Sequence, residues 1–180
     1  MKTPANPACK ISHESFDVVV EIPMNSTPVK YEVDHETGAL RVDRFLGTPM
    51  FYPANYGFIP NTLGLDGDPV DVLVMTPHSL VHGAHIECRA IGMLMMEDDG
   101  GVDPKILALP SGSIWPECAE ISSYEEISDS TLHQIEHFFR HYKDLECGKW
   151  VKIQGWVGAQ EAQNTIAESI KRFNDSRTKT

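Results

Sequence analysis

A chain of 180 residues, 41% hydrophobic and 23% charged, can bury a sizeable core, and its formal net charge of −11 repels nucleic acid and anionic lipid unless basic residues are segregated. The same charge repels an anionic substrate, so a chain that takes one needs metal ions or a focused Lys/Arg cluster. No 18-residue apolar run occurs and the N-terminus lacks an apolar signal core, which predicts a cytoplasmic protein without membrane contact.

Residues 1–15 read as an irregular arm of a single domain spanning 1–180, with no linker, repeat or low-complexity segment. Phe16–Ile22 reads as a strand, with Phe16, Val18, Val20 and Ile22 on one face and Glu21 on the other. Lys30–Val33 follows, with Lys30 and Glu32 sharing a face, and Leu40–Phe45 after a DHETG turn. The segment TPMFYPANYGFIPNT predicts a packed loop with at most a short strand. Val70–Met75, Ile86–Met95, Ile106–Leu109 and Val151–Val157 complete the strands. Asp129 or Ser130 is set to cap a helix in which Leu132, Ile135, Phe139, Tyr142 and Leu145 recur at helical spacing, with Gly148 as its stop. A second helix is expected near 159–174, with Ala162, Ile166, Ile170 and Phe173 on one face. Strands first and helices last predict an α+β, mainly β fold: an OB-like closed β-barrel of short strands with two main helices packed outside. Cys9, Cys88, Cys118 and Cys147 form no C-x-x-C pair, and free thiols are expected.

The run DGDPVDVLV carries the most information. It sets Asp66, Asp68 and Asp71 within six residues, at a Gly-Pro turn that feeds an apolar strand. Such turns are often merely solvated, but carboxylates crowded at a strand mouth repel one another. Hard divalent ions, which prefer oxygen ligands, would hold them together. A second acidic turn, MEDDGGVDPK, brings Glu97, Asp98, Asp99 and Asp103 ahead of Lys105. Neither is an EF-hand: counted from Asp66, the fifth ligand position is Val70 and the twelfth is Pro77.

These stretches, taken in order with EIP (21–23), KYE (30–32), VDRF (42–45), FYPANYGFIP (51–60) and HYKDLE…GKWVK (141–152), resemble the soluble inorganic pyrophosphatases of family I, bacterial type. The most specific element is the D-G-D-P-x-D signature, here Asp66 to Asp71. The resemblance implies hydrolysis of inorganic pyrophosphate by in-line attack of a metal-bound hydroxide, with Asp68 as general base. Asp66, Asp71 and Asp103 would hold an activating metal pair, with Asp71 bridging. Asp98 and Asp103 would hold a metal arriving with substrate, and Glu21 and Glu32 would reach another through waters. Lys30, Arg44, Tyr56, Lys105, Tyr142 and Lys143 would bind phosphate oxygens, and Tyr52 would line the site. Mg²⁺ is the implied cofactor, several per site, with Mn²⁺ or Zn²⁺ as substitutes. A homohexamer built as two trimers is implied as well. Asp99 stands where the family usually has Glu, and residues 112–128 match its usual connection only loosely.

Two rival readings exist. An oligonucleotide-binding barrel is opposed by the acidic balance and by aromatics gathered in one loop. A Ca²⁺-binding interaction protein is opposed by the failed EF-hand count and by the Lys/Arg/Tyr set. Outside the motifs, His133, His137 and His141 recur every four residues on the first helix, away from its apolar stripe. They are expected at a subunit contact around a two-fold axis.

Overall fold

Short runs of β-branched and aliphatic residues, cut by Gly, Pro and Asn, shape most of the chain. In the computed structural model, residues 15–34 and 37–178 are described. The arm up to residue 14, with Cys9, and His35 and Glu36 of the DHETG turn lie outside the described residues. The strands are β1 (Phe16–Ile22), β2 (Val29–Val33), β3 (Leu40–Phe45), β4 (Asn55–Phe58), β5 (Asp71–Val74), β6 (His85–Asp98), β7 (Gly101–Val102), β8 (Lys105–Pro110) and β9 (Val151–Gly158). The helices are α1 (Asp129–His141) and α2 (Ala159–Arg177).

Pairing runs in a ring. β1 pairs with β4, β4 with β5, β5 with β8, β8 with β6, and the first residues of β6 return to β1. Only the β5–β8 step of that ring is parallel, with Val72 opposite Ile106. β7 and β9 pair with the far end of β6, while β2 and β3 form a separate two-stranded sheet.

Alternation along the ring strands sorts side chains into two apolar clusters. Leu73, Ile91, Leu94, Leu107 and Leu109 join Leu132, Ile135, Phe138 and Phe139 of α1. Val18, Val20, Val72, Val74, Ile106 and Ala108 join Ala162 and Ile166 of α2. Both faces of the central strands are thus covered, one by each helix. The register shift in β1 between Val20 and Ile22 moves Ile22 into the first cluster, so it does not share a face with Val18 and Val20 as the alternation predicts. β4 is short but central. A Cβ at Gly57 would stand 2.0 Å from the Val19 carbonyl oxygen, so only glycine lets β1 and β4 approach here.

Several boundaries differ from expectation. β6 runs to Asp98, which makes Asp98 a strand residue rather than part of a turn. Ser128 caps α1, its hydroxyl accepting the Thr131 N–H. The helix ends at His141, ahead of Gly148, because the chain tightens into turns after Tyr142. Leu145 consequently lies past the helix and is 71% exposed. α2 extends to Arg177 and buries Ala162, Ile166 and Ser169, while Ile170 is exposed. Residues 112–128, loosely matched in sequence, are fastened: the Arg89 guanidinium donates to the Cys118 and Ile121 carbonyls, and Ser123 and Glu126 form a capping box. Cys88, Cys118 and Cys147 are free thiols, and among the described residues no helix is long and apolar enough to cross a membrane.

Candidate active site

Gly64, Gly67 and Pro69 fold residues 64–68 into a closed turn. The Gly64 N–H donates to the Asp68 carbonyl at 2.6 Å, and the Asp68 N–H donates to Asp66 Oδ1 at 3.1 Å. Gly67 has φ +100°, which favours glycine. The turn delivers the chain to β5, whose first residue is Asp71. Because β5 and β8 run parallel with Val72 opposite Ile106, Lys105 at the start of β8 comes beside Asp71. Its ammonium group contacts Asp71 Oδ2 at 2.5 Å, both oxygens of Asp103 at 2.6 Å and the Tyr56 hydroxyl at 3.3 Å, and it is only 2% exposed.

Burial sets the local electrostatics. Desolvation pushes the Asp103 carboxyl up to about 6, against the pull of Lys105. Burial would lower the Lys105 ammonium, but Asp71 and Asp103 overcome it and hold that group well above the usual lysine range. Desolvation also pushes the Glu21 carboxyl up to about 8, although it accepts the Val33 N–H at 2.6 Å. Tyr52 and Tyr56 are raised well above the usual phenol range by burial.

At the far end of β6, Asp98 receives the Gly100 N–H at 2.7 Å and the Lys143 ammonium at 2.6 Å. Lys143 follows Tyr142, the residue that closes α1, so the helix end aims both at this point. Across the site, the β2–β3 sheet carries Lys30 and Arg44 directly opposite each other. Lys30 contacts Glu32 and lies 3.4 Å from Asp43, and Arg44 binds Asp43 at 2.6 Å and Glu146 at 3.2 Å.

Part of the predicted set lines two hollows, and Arg44, Tyr52, Asp98, Lys105, Tyr142 and Lys143 line neither. A hollow of about 360 Å³ is lined by Glu21, Lys30, Glu32, Tyr56, Asp68 and Asp71. A smaller one of about 150 Å³ behind it is lined by Asp66, Asp71 and Asp103, with Arg172 of α2 on its other wall. Tyr142 lies in the electrostatic field of Lys105, Lys143, Asp103 and Asp98, and Arg44 in that of Tyr142. Tyr52 adjoins Tyr56, with ring centroids 5.0 Å apart. A larger hollow, about 1010 Å³, lies elsewhere: it runs beside α1 at Phe51, His133 and His137 and is lined by none of these residues.

Sequence reasoning missed the partners that hold the set in place. Asp43 and Glu146 brace Arg44, and Lys149 pairs with Asp99. Asn55, fully buried, accepts the Met24 and Leu80 N–H groups and donates to Thr76, which closes the loop around Tyr52 and Tyr56. Asn55 lies inside FYPANYGFIP, but nothing in its spacing marks it apart from an ordinary loop asparagine.

Among the described residues, no three His, Cys, Asp or Glu side chains converge as a finished metal cage. Asp71 and Asp103 are instead drawn onto the Lys105 ammonium. All-oxygen donors, raised carboxyl groups and a substituting cation fit a hard divalent ion that keeps part of its water shell. Mg²⁺ binds in that manner, through one or two carboxylates and substrate phosphates.

Comparison with known proteins finds close relatives. The family model for inorganic pyrophosphatase matches residues 18–174. A protein from Ralstonia nicotianae named inorganic pyrophosphatase is 54% identical over 158 residues, 88% of this chain and 90% of its own length. Its namesake from Xanthomonas campestris is 53% identical over 161 residues, 89% of this chain and 90% of its own. A solved inorganic pyrophosphatase from Coxiella burnetii superposes with TM-score 0.87 at 47% identity, covering 91% of this chain and 97% of its own. A structure from Anaplasma phagocytophilum, described as an inorganic phosphatase, gives TM-score 0.88 at 45% identity, covering 92% of this chain and 96% of its own.

Proposed function

The chain belongs to the inorganic pyrophosphatase family, in its bacterial family I type, and from that premise we propose how its residues hydrolyse pyrophosphate. The family is metal-dependent, and Mg²⁺ is the ion we assign, with Mn²⁺ or Zn²⁺ as substitutes. Asp66, Asp71, Asp98 and Asp103 would hold the ions directly, and Glu21 and Glu32 through water. Bound divalent ions supply positive charge to the phosphates and acidify water towards a pKa of about 7, making hydroxide available for in-line attack.

The chain's own residues do the rest. Asp68 stands on the exposed turn beside Asp66, at the rim of the 360 Å³ hollow, where its carboxylate can take a proton from the attacking water. Lys30 lines the same hollow from β2, Arg44 stands directly opposite it on β3, and both would exchange their carboxylate partners for phosphate oxygens. Lys143, Tyr142 and Tyr56 receive charge on the leaving phosphate. Lys105, buried among Asp71, Asp103 and Tyr56, would bind a phosphate oxygen through its ammonium group. Tyr52, its ring against Tyr56, would line the site.

The observation that carries this reading is the Asp71–Lys105–Asp103 cluster, whose Asp71 lines one hollow together with Lys30 and Glu32. Phosphate release from pyrophosphate, measured with Mg²⁺ and with EDTA, tests it: turnover is expected only with the ion. Metal-independent turnover, or none, would overturn it. We further propose a single domain over 1–180, with the strand ring as an OB-like barrel, and a cytoplasmic homohexamer made of two trimers. The exposed His133 and His137, with His141 bound to Asp144 at 2.8 Å, would lie at a two-fold contact between subunits.

A further inference from the structure

The turn that carries Asp66 and Asp68 leaves the ring at Ile59 and rejoins it at Val70, where the Val70 N–H donates to the Ile59-bound hydroxyl of Thr62 at 2.9 Å. That link closes the neck of the loop but does not fix its tilt. A second attachment lies further out, on α2. The Leu63 N–H donates to the Ser169 carbonyl at 3.1 Å, and the Leu63 carbonyl accepts from Arg172 Nε at 2.9 Å. Both polar groups of one residue are thus taken by one helix. Beyond Leu63 the turn is tied to itself: the Gly64 N–H donates to the Asp68 carbonyl, and Asp66 Oδ1 packs so close over Gly64 that an added Cβ would stand 2.6 Å away. An orientation imposed at Leu63 is therefore passed to both carboxylates.

We infer that Arg172 is a positioning residue for the metal site: its guanidinium, fixed on α2, holds the Leu63 carbonyl and so sets where Asp66 and Asp68 stand. The inference rests on the proposed metal-dependent reading, because its readout is metal affinity. Arg172 also lines the 150 Å³ hollow together with Asp66, Asp71 and Asp103, with Glu168 3.8 Å from its guanidinium. Residues that hold ligands rather than bind metal typically change metal affinity by about 10–100-fold when removed.

Calorimetric titration of Mg²⁺ into wild type and Arg172→Met tests this without measuring turnover. The variant is expected to bind Mg²⁺ about 10-fold more weakly, while the melting temperature of the metal-free protein stays within about 2 °C. Arg172→Lys, which keeps a cationic donor, is expected to recover part of the lost affinity. Binding by Arg172→Met as tight as wild type would overturn the inference, as would a loss of affinity that only follows a loss of stability. If wild type itself bound no Mg²⁺, the metal-dependent reading would fall instead. Should Arg172→Met fail to fold, linkage gives a test on wild type alone. Mg²⁺ is expected to slow hydrogen exchange at the Leu63 amide several-fold, and an unchanged Leu63 amide beside a protected Gly64 amide would overturn the inference.

Discussion

All the carboxylates of the site but Glu32 stand on the strand ring or on the turns that join its strands, whereas Lys30, Glu32 and Arg44 stand on the separate β2–β3 sheet. The ring half is enclosed apart from the exposed turn of Asp66 and Asp68. Lys105 and Asp98 are buried, strands flank Asp71 on either side, and the ion pairs there are desolvated. The hairpin half is open: every residue of β3 but Arg44 is exposed, and Lys30 and Arg44 pair with Asp43, Glu32 and Glu146 at partly exposed positions. Exposed pairs contribute about 0–1 kcal/mol and exchange readily, while a buried pair costs several kcal/mol to break. The division suits the chemistry. Ligands for ions must be held at fixed spacing before substrate arrives, whereas groups that grip a phosphate must release it afterwards. Elements with few buried contacts and exposed hydrogen bonds open most easily, which places the hairpin on the adjustable side.

The sharpest way to break this comparison is a residue that serves chemistry without supporting the fold. Asp68 is exposed on its turn. Asp68→Asn is expected to reduce turnover by about 10²–10⁴-fold, because an amide cannot accept the proton. Its stability should stay within about 0.5 kcal/mol of wild type, the usual range for exposed substitutions. Steady-state phosphate release at saturating Mg²⁺ together with urea unfolding checks both halves. Turnover within threefold of wild type would remove Asp68 as the base.

Lys105 tests the enclosed half. Lys105→Met keeps the buried stem but leaves Asp71 and Asp103 facing each other without a cation. Removing one partner of a buried pair costs about 3–5 kcal/mol. The loss is expected in full in EDTA and to shrink with Mg²⁺, because an ion supplies the missing charge. Denaturant midpoints under the two conditions measure this. Equal destabilisation in both would mean that Lys105 is a structural pair without a link to the metal site.

Much of this arrangement is legible in the chain, for reasons that differ by residue. Asp66, Asp68 and Asp71 are readable because turn chemistry and crowded charge coincide in one short run. The ring strands are readable because period-2 runs bounded by Gly and Pro have few alternatives. The end of α1 is not: Leu145 continues the helical spacing in sequence, yet the chain turns after Tyr142 to aim Lys143 at Asp98. Nor is the setting of Lys105, since its burial depends on the parallel β5–β8 contact, a pairing between residues more than thirty positions apart. Asn55, Gly57 and Arg172 are hidden for the same reason. Each acts on backbone from a distant stretch, and no local spacing announces it.

Glu21 joins the two halves and gives the smallest, most discriminating effect. It lies near the end of β1 on the ring, it is 6% exposed, and its carboxylate accepts the Val33 N–H from the hairpin. Its own carbonyl contacts His82, whose ring packs edge-on against Tyr31 of β2 at 4.7 Å. Desolvation first, then the nearby Asp71 and Glu32 carboxylates, push Glu21 up to about 8, with the Val33 bond opposing. A carboxyl raised above its unfolded value holds its proton longer in the fold than in the open chain. The stability this contributes is full below the unfolded value of 4.5 and is lost as pH rises through about 8. The metal-free protein should therefore melt progressively lower between pH 5 and pH 9. Each kcal/mol so lost would lower Tm by roughly 2–4 °C in a chain of this size. Glu21→Gln keeps an acceptor for Val33 but does not titrate, and it should flatten that slope. Saturating Mg²⁺ should flatten it too, since a nearby cation favours the ionised carboxylate. Hydrogen exchange separates the tie from the charge. Glu21→Ala, without an acceptor, should expose the Val33 amide and loosen β2 and β3 while the β4, β5 and β8 amides stay protected. If exchange rose equally in the ring and the hairpin, the two halves would unfold as one unit and the division drawn between them would fail.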